Sequence, residues 1–389
     1  MKRLIGILLG VLGQLLLGLL AFLLLIEPAI RIIRPQSLIM KGKESFFPGD
    51  PDLQFVIKPN GKTSLARKDF TIEVQTNSLG FRDPERGPKG DAIRILALGD
   101  SFTFGWGVQH EQTFAAQMER LESEAARAGE RSPIEVINAG VPGYNLYQYL
   151  ISLEKKGWKV DPDIVLVGVF VQNDFSENLD FDRWLAEKKA RGGVKERDEG
   201  LVPWLQAHSQ AYVWLRVKYK SSYRMQRTWF RLTRPFTKAN EHYKYRNVLV
   251  FRKPVPPDME AQWRMSEQIL RRIRDEVRGR GKELLVVLIP SELQAVQAQW
   301  EEEVRHEKMS EATFDLEAAN RRAAAICRSE GISVLDLLPP FRAATDAGKV
   351  LYLASDHHWN ADGHQLAAKT ILAYLRSRGW LDKPPAIGR

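Results

Sequence analysis

The chain has 389 residues, 44% of them hydrophobic and 10% aromatic, which excludes global disorder and allows one large domain or two ordinary ones. The formal net charge is +9. The single cysteine, Cys327, excludes an intrachain disulfide, and it lies in an apolar run (Ala324–Ala325–Ile326–Cys327) that reads as buried core.

The first element is the uncharged apolar run Leu4–Ile26, whose 23 residues at 1.5 Å each span about 34 Å, enough to cross a bilayer. Lys2 and Arg3 precede it and no small-x-small cleavage site follows. The expectation is therefore an uncleaved signal anchor over residues 1–26, a single-pass transmembrane helix. Arg31, Arg34, Lys41 and Lys43 lie beyond it, so the positive-inside rule has little force. With no second span, the body is expected outside the inner membrane, in the periplasm. A buried core helix is the bland alternative, disfavoured because every face of the run is apolar.

Residues 27–91 read as an extracytoplasmic connector, punctuated by Pro and Gly, with strand character at Phe70–Val74. From residue 92 to about 380 the pattern becomes apolar strands alternating with helices. The strands are Ile93–Leu98, Ile134–Asn138, Ile164–Phe170, Glu283–Ile289 and Ser333–Leu337. Their nearly continuous β-branched character predicts burial on both faces, hence a parallel sheet. Helices are expected at Thr113–Ala128, Tyr147–Lys156, Asp258–Arg280, Phe314–Glu330 and Ala361–Arg378. The predicted class is α/β, a doubly wound parallel five-stranded sheet.

Residues 180–253 break this rhythm. They hold eighteen Lys and Arg against seven acids, a local net charge of +11 that exceeds the whole chain's +9. Trp204, Tyr212, Trp214, Tyr219, Tyr223, Trp229 and Phe230 interleave with the cations. A solvated helical insertion with ordinary surface charge explains this. So does a lid attracting an anionic substrate such as an acidic glycan, or a face resting on anionic lipid. The aromatics could be the insertion's own core, a sugar-stacking surface or an interfacial belt. Nucleic acid is a poor fit for a chain expected to begin with an anchor.

Four loops at predicted strand ends carry chemistry. The first strand ends in Gly99–Asp100–Ser101, which puts a hydroxyl where open α/β sheets bind ligands. Alone the tripeptide is a weak signal, since Asp100 or Ser101 could be a plain helix N-cap. A nucleophilic serine needs a base and the base an orienter. Asp356 and His358, in Ser355–Asp356–His357–His358–Trp359–Asn360 before the last helix, have the spacing for a carboxylate to grip one imidazole nitrogen. Acyl transfer also needs donors aimed at the developing oxyanion. Gly143, in the loop after the second strand, can present an unobstructed backbone N–H, and Asn173, after the third, a carboxamide. Each could be a turn residue. The coincidence of four parts at four strand ends favours the catalytic reading.

Gly99–Asp100–Ser101, Gly143, Asn173 and Asp356/His358 together resemble the four blocks of the SGNH (GDSL-like) hydrolase superfamily, over about Ile93–Arg378. The resemblance implies a flavodoxin-like fold with Ser101 as nucleophile, His358 as general base and Asp356 as its partner. It implies an oxyanion hole formed by Gly143, Asn173 and the Ser101 N–H, and no cofactor. The common pattern is Asp-x-x-His. The Asp-x-His before Trp-Asn here resembles the DHHW and alginate O-acetyltransferase-like branches, whose members act on extracytoplasmic polysaccharides. Gln172 stands where many relatives have glycine. The stretch Val74–Asp83 resembles a segment that precedes the catalytic domain in membrane-tethered relatives, and no chemistry is assigned to it.

The expected activity is serine-dependent hydrolysis of a carbohydrate or lipid acyl ester through an acyl-enzyme. The alternatives are O-acyl transfer to a polysaccharide and a non-catalytic glycan-binding role on the same scaffold. A metal hydrolase using Asp356, His357, His358 and His364 is disfavoured, because there is no second ligand cluster and no HExxH.

Overall fold

The computed structural model describes residues 46–127, 133–190, 204–205, 208–221, 246–307 and 309–382, with residues 10, 13–14, 17–18 and 24–33. The chain divides into two units, residues 1–48 with 195–243, and residues 49–194 with 244–389.

In the first unit, residues 24–33 are helical. The Glu27 carboxylate accepts hydrogen bonds from Ser209 Oγ (2.8 Å), Gln210 N (2.8 Å) and Ala211 N (2.9 Å), so it caps the helix Gln210–Ser221. The expected membrane anchor and periplasmic location are corrected by this structure. Among the described residues no helix is long and apolar enough to cross a membrane. Residues 24–33 hold Glu27 and Arg31, bonded to one another and to protein groups. Most of the rest of Leu4–Ile26, and most of the basic stretch 180–253, lie outside the described residues.

The second unit carries two small antiparallel pairs, β1 (Gly49–Asp50) with β2 (Gln54–Phe55) and β3 (Lys62–Ala66) with β4 (Thr71–Gln75). Its centre is a parallel sheet of β5 (Ile93–Gly99), β6 (Ile134–Asn138), β7 (Ile164–Phe170), β8 (Glu283–Ile289) and β9 (Ser333–Asp336), in the spatial order β6-β5-β7-β8-β9. This is the doubly wound arrangement in which the chain reverses direction beside its first strand. Every residue of β5 is buried, as a strand covered on both faces requires. The one charge within it, Arg94, donates to Glu135 Oε2 (2.6 Å), Val160 O (2.8 Å) and Gly87 O (3.0 Å).

Helices cover both faces: α1 (Ser101–Phe104), α2 (Phe114–Arg127), α3 (Leu146–Lys155), α4 (Asn178–Ala190), α5 (Pro257–Arg278), α6 (Ala318–Ser329), α7 (Leu338–Asp346) and α8 (Ala361–Ser377). Two differ from the sequence expectation. The helix expected from Phe314 starts only at Ala318, because Phe314 forms a β-bridge with Arg252. α7 was not expected, since Pro339–Pro340 reads as a breaker, but both prolines fall in the first turn, where a missing N–H costs nothing.

The turn after β5 is shaped by glycine and by one buried arginine. A Cβ on Gly99 would lie 2.0 Å from Thr103 Oγ1, and one on Gly168 would lie 2.6 Å from the same atom. Two glycines thus admit Thr103 between the tips of β5 and β7 and seat α1 there. Arg82, fully buried, donates from Nη1 to Phe104 O (3.0 Å) and Gly105 O (2.7 Å), and from Nη2 to Val108 O (2.8 Å). Burial lowers its pKa to about 10, so it remains charged at neutral pH. Arg82→Met would leave three carbonyls without a charged donor, at roughly 1 kcal/mol or more each. The expected result is a destabilisation of about 3 kcal/mol, read as a lower urea midpoint; an unchanged midpoint would show that the clamp is dispensable.

Candidate active site

The parallel register puts the C-terminal ends of β5, β6 and β7 on one edge of the sheet. Ser101 is the first residue of α1, directly after β5. Asp100 caps this turn, its Oδ1 accepting from Phe102 N at 2.9 Å, and Gly105 closes it at φ +84°. A single helical turn thereby projects Ser101 from the strand tip while Phe102, Thr103 and Phe104 are buried beneath.

The Asp356–His358 loop reaches the same place from 257 residues away in sequence. His358 Nε2 lies 2.7 Å from Ser101 Oγ, and His358 Nδ1 is hydrogen-bonded to Asp356 Oδ1. Because an ionised carboxylate only accepts, Nδ1 carries the proton and Nε2 is left to accept from the serine hydroxyl. Burial raises the Asp356 pKa, but the hydrogen bonds from His358 and Trp106 and the nearby charge of Arg67 outweigh it. The net shift is downward, so Asp356 stays ionised. The imidazole packs at 4.7 Å on Phe102, tilted by 35°, and Phe102 also contacts Phe170 and Trp359.

The loop itself is a tight reversal. Tyr352 and Trp359 form a β-bridge, Leu353 N donates to His358 O (2.8 Å), and His357 adopts φ +67°. His357 turns away from the serine and pairs through Nδ1 with Glu292 Oε2 at 2.5 Å. That hydrogen bond, ahead of the opposing effect of burial, raises its pKa. His364 is also elsewhere: it is buried, its Nδ1 accepts from Phe114 N at 3.2 Å, and burial lowers its pKa to about 3. Among the described residues no group of three His, Cys, Asp or Glu side chains is arranged to hold a metal ion.

Gly143 follows β6, exposed and at φ +83°, a conformation natural to glycine. Its loop is tied to the nucleophile's strand by Val141 N donating to Gly99 O at 2.9 Å. Asn173 follows β7, with its carboxamide oxygen buried and unpartnered. Behind it, Asp174 accepts from Tyr149 Oη (2.8 Å) and Phe170 N (2.9 Å). Burial first, then the neighbouring Asp100, pushes Asp174 well up, and burial likewise raises Asp100 to about 6. Asp100 is thus a buried cap beneath the serine, with Oδ2 3.5 Å from Ser101 Oγ.

Sequence reasoning missed Trp106, whose Nε1 donates to Asp356 Oδ2 at 3.3 Å across 250 residues, and it missed Arg82. Their proximity in sequence to Ser101 and to the Val74–Asp83 stretch was the only available signal. Cys327 is buried, which raises its pKa to about 12, and it lies apart on α6.

Residues 252–386 match the family model described as "SGNH hydrolase-like domain, acetyltransferase AlgX". The matched segment holds Asp356 and His358; Ser101, Gly143 and Asn173 precede it. No curated protein matches the chain. Among solved structures it is similar to an acetyl xylan esterase, AlAXEase, with 13% identity over 73% of this chain and 100% of that one at a TM-score of 0.40. An acetyl-xylooligosaccharide esterase variant from Geobacillus Stearmophilus shows 14% identity over 75% and 95%, also at 0.40. A two-domain esterase active on acetylated mannans shows 14% over 76% and 52%, again at 0.40.

Proposed function

We propose that this chain, whose residues 252–386 match the SGNH hydrolase-like domain model, is a serine-dependent hydrolase of short acyl esters on carbohydrate. The contact that supports this reading is the 2.7 Å approach of His358 Nε2 to Ser101 Oγ, with Asp356 on the opposite ring nitrogen. In the mechanism, His358 takes the Ser101 proton as Oγ attacks the ester carbonyl. The Asp356 carboxylate holds the tautomer and stabilises the imidazolium. The oxyanion is assigned to the N–H groups of Ser101 and Gly143 and the Asn173 carboxamide. His358 then protonates the departing alcohol, and the acyl-enzyme is released when water, deprotonated by the same base, attacks it.

A second reading differs only in the last step. If a sugar hydroxyl replaces water, the protein is an O-acyltransferase, and the acetyltransferase description of the matched family favours it. The test is a screen of the full chain against acyl esters of graded length, with and without oligosaccharide acceptors. Hydrolysis that is fastest for acetyl and unaffected by acceptors supports the esterase. Acceptor-dependent consumption of the ester, with acylated sugar as product, replaces it by the transferase. No turnover of any ester sinks both readings and leaves the glycan-binding role.

A further inference from the structure

The β3–β4 hairpin, to which the sequence assigns no chemistry, meets the triad loop at its turn. Lys68 Nζ donates to Ser355 Oγ at 3.1 Å, and Ser355 N donates to Asp69 Oδ2 at 2.5 Å. The Arg67 guanidinium lies over the Trp106 ring at 5.4 Å, and Phe70 meets the same ring edge-on at 6.1 Å. Gly107, at φ +92°, lets the chain pass: a Cβ there would stand 2.4 Å from Leu353 Cδ1 and 3.3 Å from Phe70 Cδ1. Trp106 is thus held on its faces while its N–H points at Asp356 Oδ2, the oxygen that His358 does not use. Its backbone N–H donates to Ser101 O at 2.9 Å, so one residue links the nucleophile's turn to the acid's loop.

Resting on the serine-hydrolase reading above, we infer that Trp106, braced by the Arg67–Phe70 turn, is a positioning residue that fixes which Asp356 oxygen faces the catalytic imidazole. A carboxylate with one oxygen free can rotate and loosen its grip on Nδ1. With the indole donor on Oδ2, only one orientation satisfies both donors. The ionisable groups acting on Asp356 are His358 and His357 on its own loop and Arg67 on the hairpin turn; Lys68 and Asp69 hold the neighbouring Ser355, and Glu292 pairs with His357. Of these, His358 and Arg67, together with the indole N–H, oppose burial and lower the Asp356 pKa. Removing a lowering group raises that pKa, so the carboxylate protonates at higher pH.

The discriminating experiment is a double-substitution cycle on the full chain, following p-nitrophenyl acetate hydrolysis per folded protein against pH. Trp106→Phe alone should lower kcat about tenfold with KM nearly unchanged, as expected for a group acting through general-base catalysis. In the Asp356→Asn background the sign reverses. There the indole N–H claims the carboxamide oxygen and turns the NH₂ toward His358. Deleting the indole donor frees the amide to flip and should raise kcat by about 5- to 100-fold, the equivalent of one unpaired buried donor. Arg67→Ala, at an exposed site that braces the indole, should lower kcat with KM nearly unchanged and carries the test if Trp106→Phe fails to fold. Equal losses from Trp106→Phe in both backgrounds, or a kcat unmoved by Arg67→Ala, would overturn the inference. Ser101→Ala run in parallel separates the two levels: full activity there sinks the hydrolase reading itself.

Discussion

Ser101→Ala is expected to reduce kcat by about 10⁶, the size of loss seen when a nucleophile is removed from a cooperating triad. Ser101 Oγ is the hydroxyl within hydrogen-bond reach of His358 Nε2, and the helical turn that carries it is fixed by the Asp100 cap, by Gly105 and by the Arg82 clamp. Removing one oxygen leaves all three in place, so the variant should fold and its KM should change little. What remains is catalysis by oxyanion stabilisation and binding, roughly 10³–10⁴ above water. Hydrolysis of p-nitrophenyl acetate within tenfold of the unaltered protein would remove Ser101 from the mechanism.

Asp356→Asn should cost about 10⁴ in kcat through the wrong imidazole tautomer. The substitution keeps size and removes charge, and the outcome depends on which way the carboxamide faces. Asp356 has a donor on each oxygen, His358 Nδ1 on Oδ1 and Trp106 Nε1 on Oδ2. Asparagine can satisfy only one of them with oxygen. The indole is an obligatory donor, whereas the imidazole can move its proton, so the amide oxygen settles on Trp106. The NH₂ then donates to Nδ1, the ring proton shifts to Nε2, and no lone pair remains to accept from Ser101. A kcat within tenfold of the unaltered protein would show that Asp356 neither fixes the tautomer nor stabilises the imidazolium.

Much of the fold was legible because its sheet is buried on both sides. Runs such as Ile164–Phe170 and Glu283–Ile289 are apolar without alternation, and the observed strands coincide with them. Helices with a clear apolar face, such as Pro257–Arg278, were found to within two residues. α7, which opens on Leu338–Pro339–Pro340, was not expected. Ser101 and the Asp356/His358 loop, read as partners from the sequence, lie within hydrogen-bond reach of one another, and Gly143 and Asn173 follow the tips of β6 and β7, because topology sends the tips of parallel strands to one edge. Trp106 and the Arg67–Phe70 turn were not, since nothing in local sequence marks an indole that bonds 250 residues away or a hairpin tip that packs on a distant loop. The apolar run Leu4–Ile26 shows the converse failure: its hydropathy was read as a span, and among the described residues no helix is long and apolar enough to cross a membrane.

The most direct measurement is the structure of the full chain after reaction with a fluorophosphonate, whose tetrahedral phosphorus stands in for the acyl intermediate. The account predicts a bond to Ser101 Oγ, with the phosphoryl oxygen about 2.7–3.1 Å from the N–H groups of Ser101, Gly143 and Asn173 and His358 Nε2 facing the leaving-group side. An adduct on any other residue, or a phosphoryl oxygen turned to solvent away from Gly143 and Asn173, would contradict it.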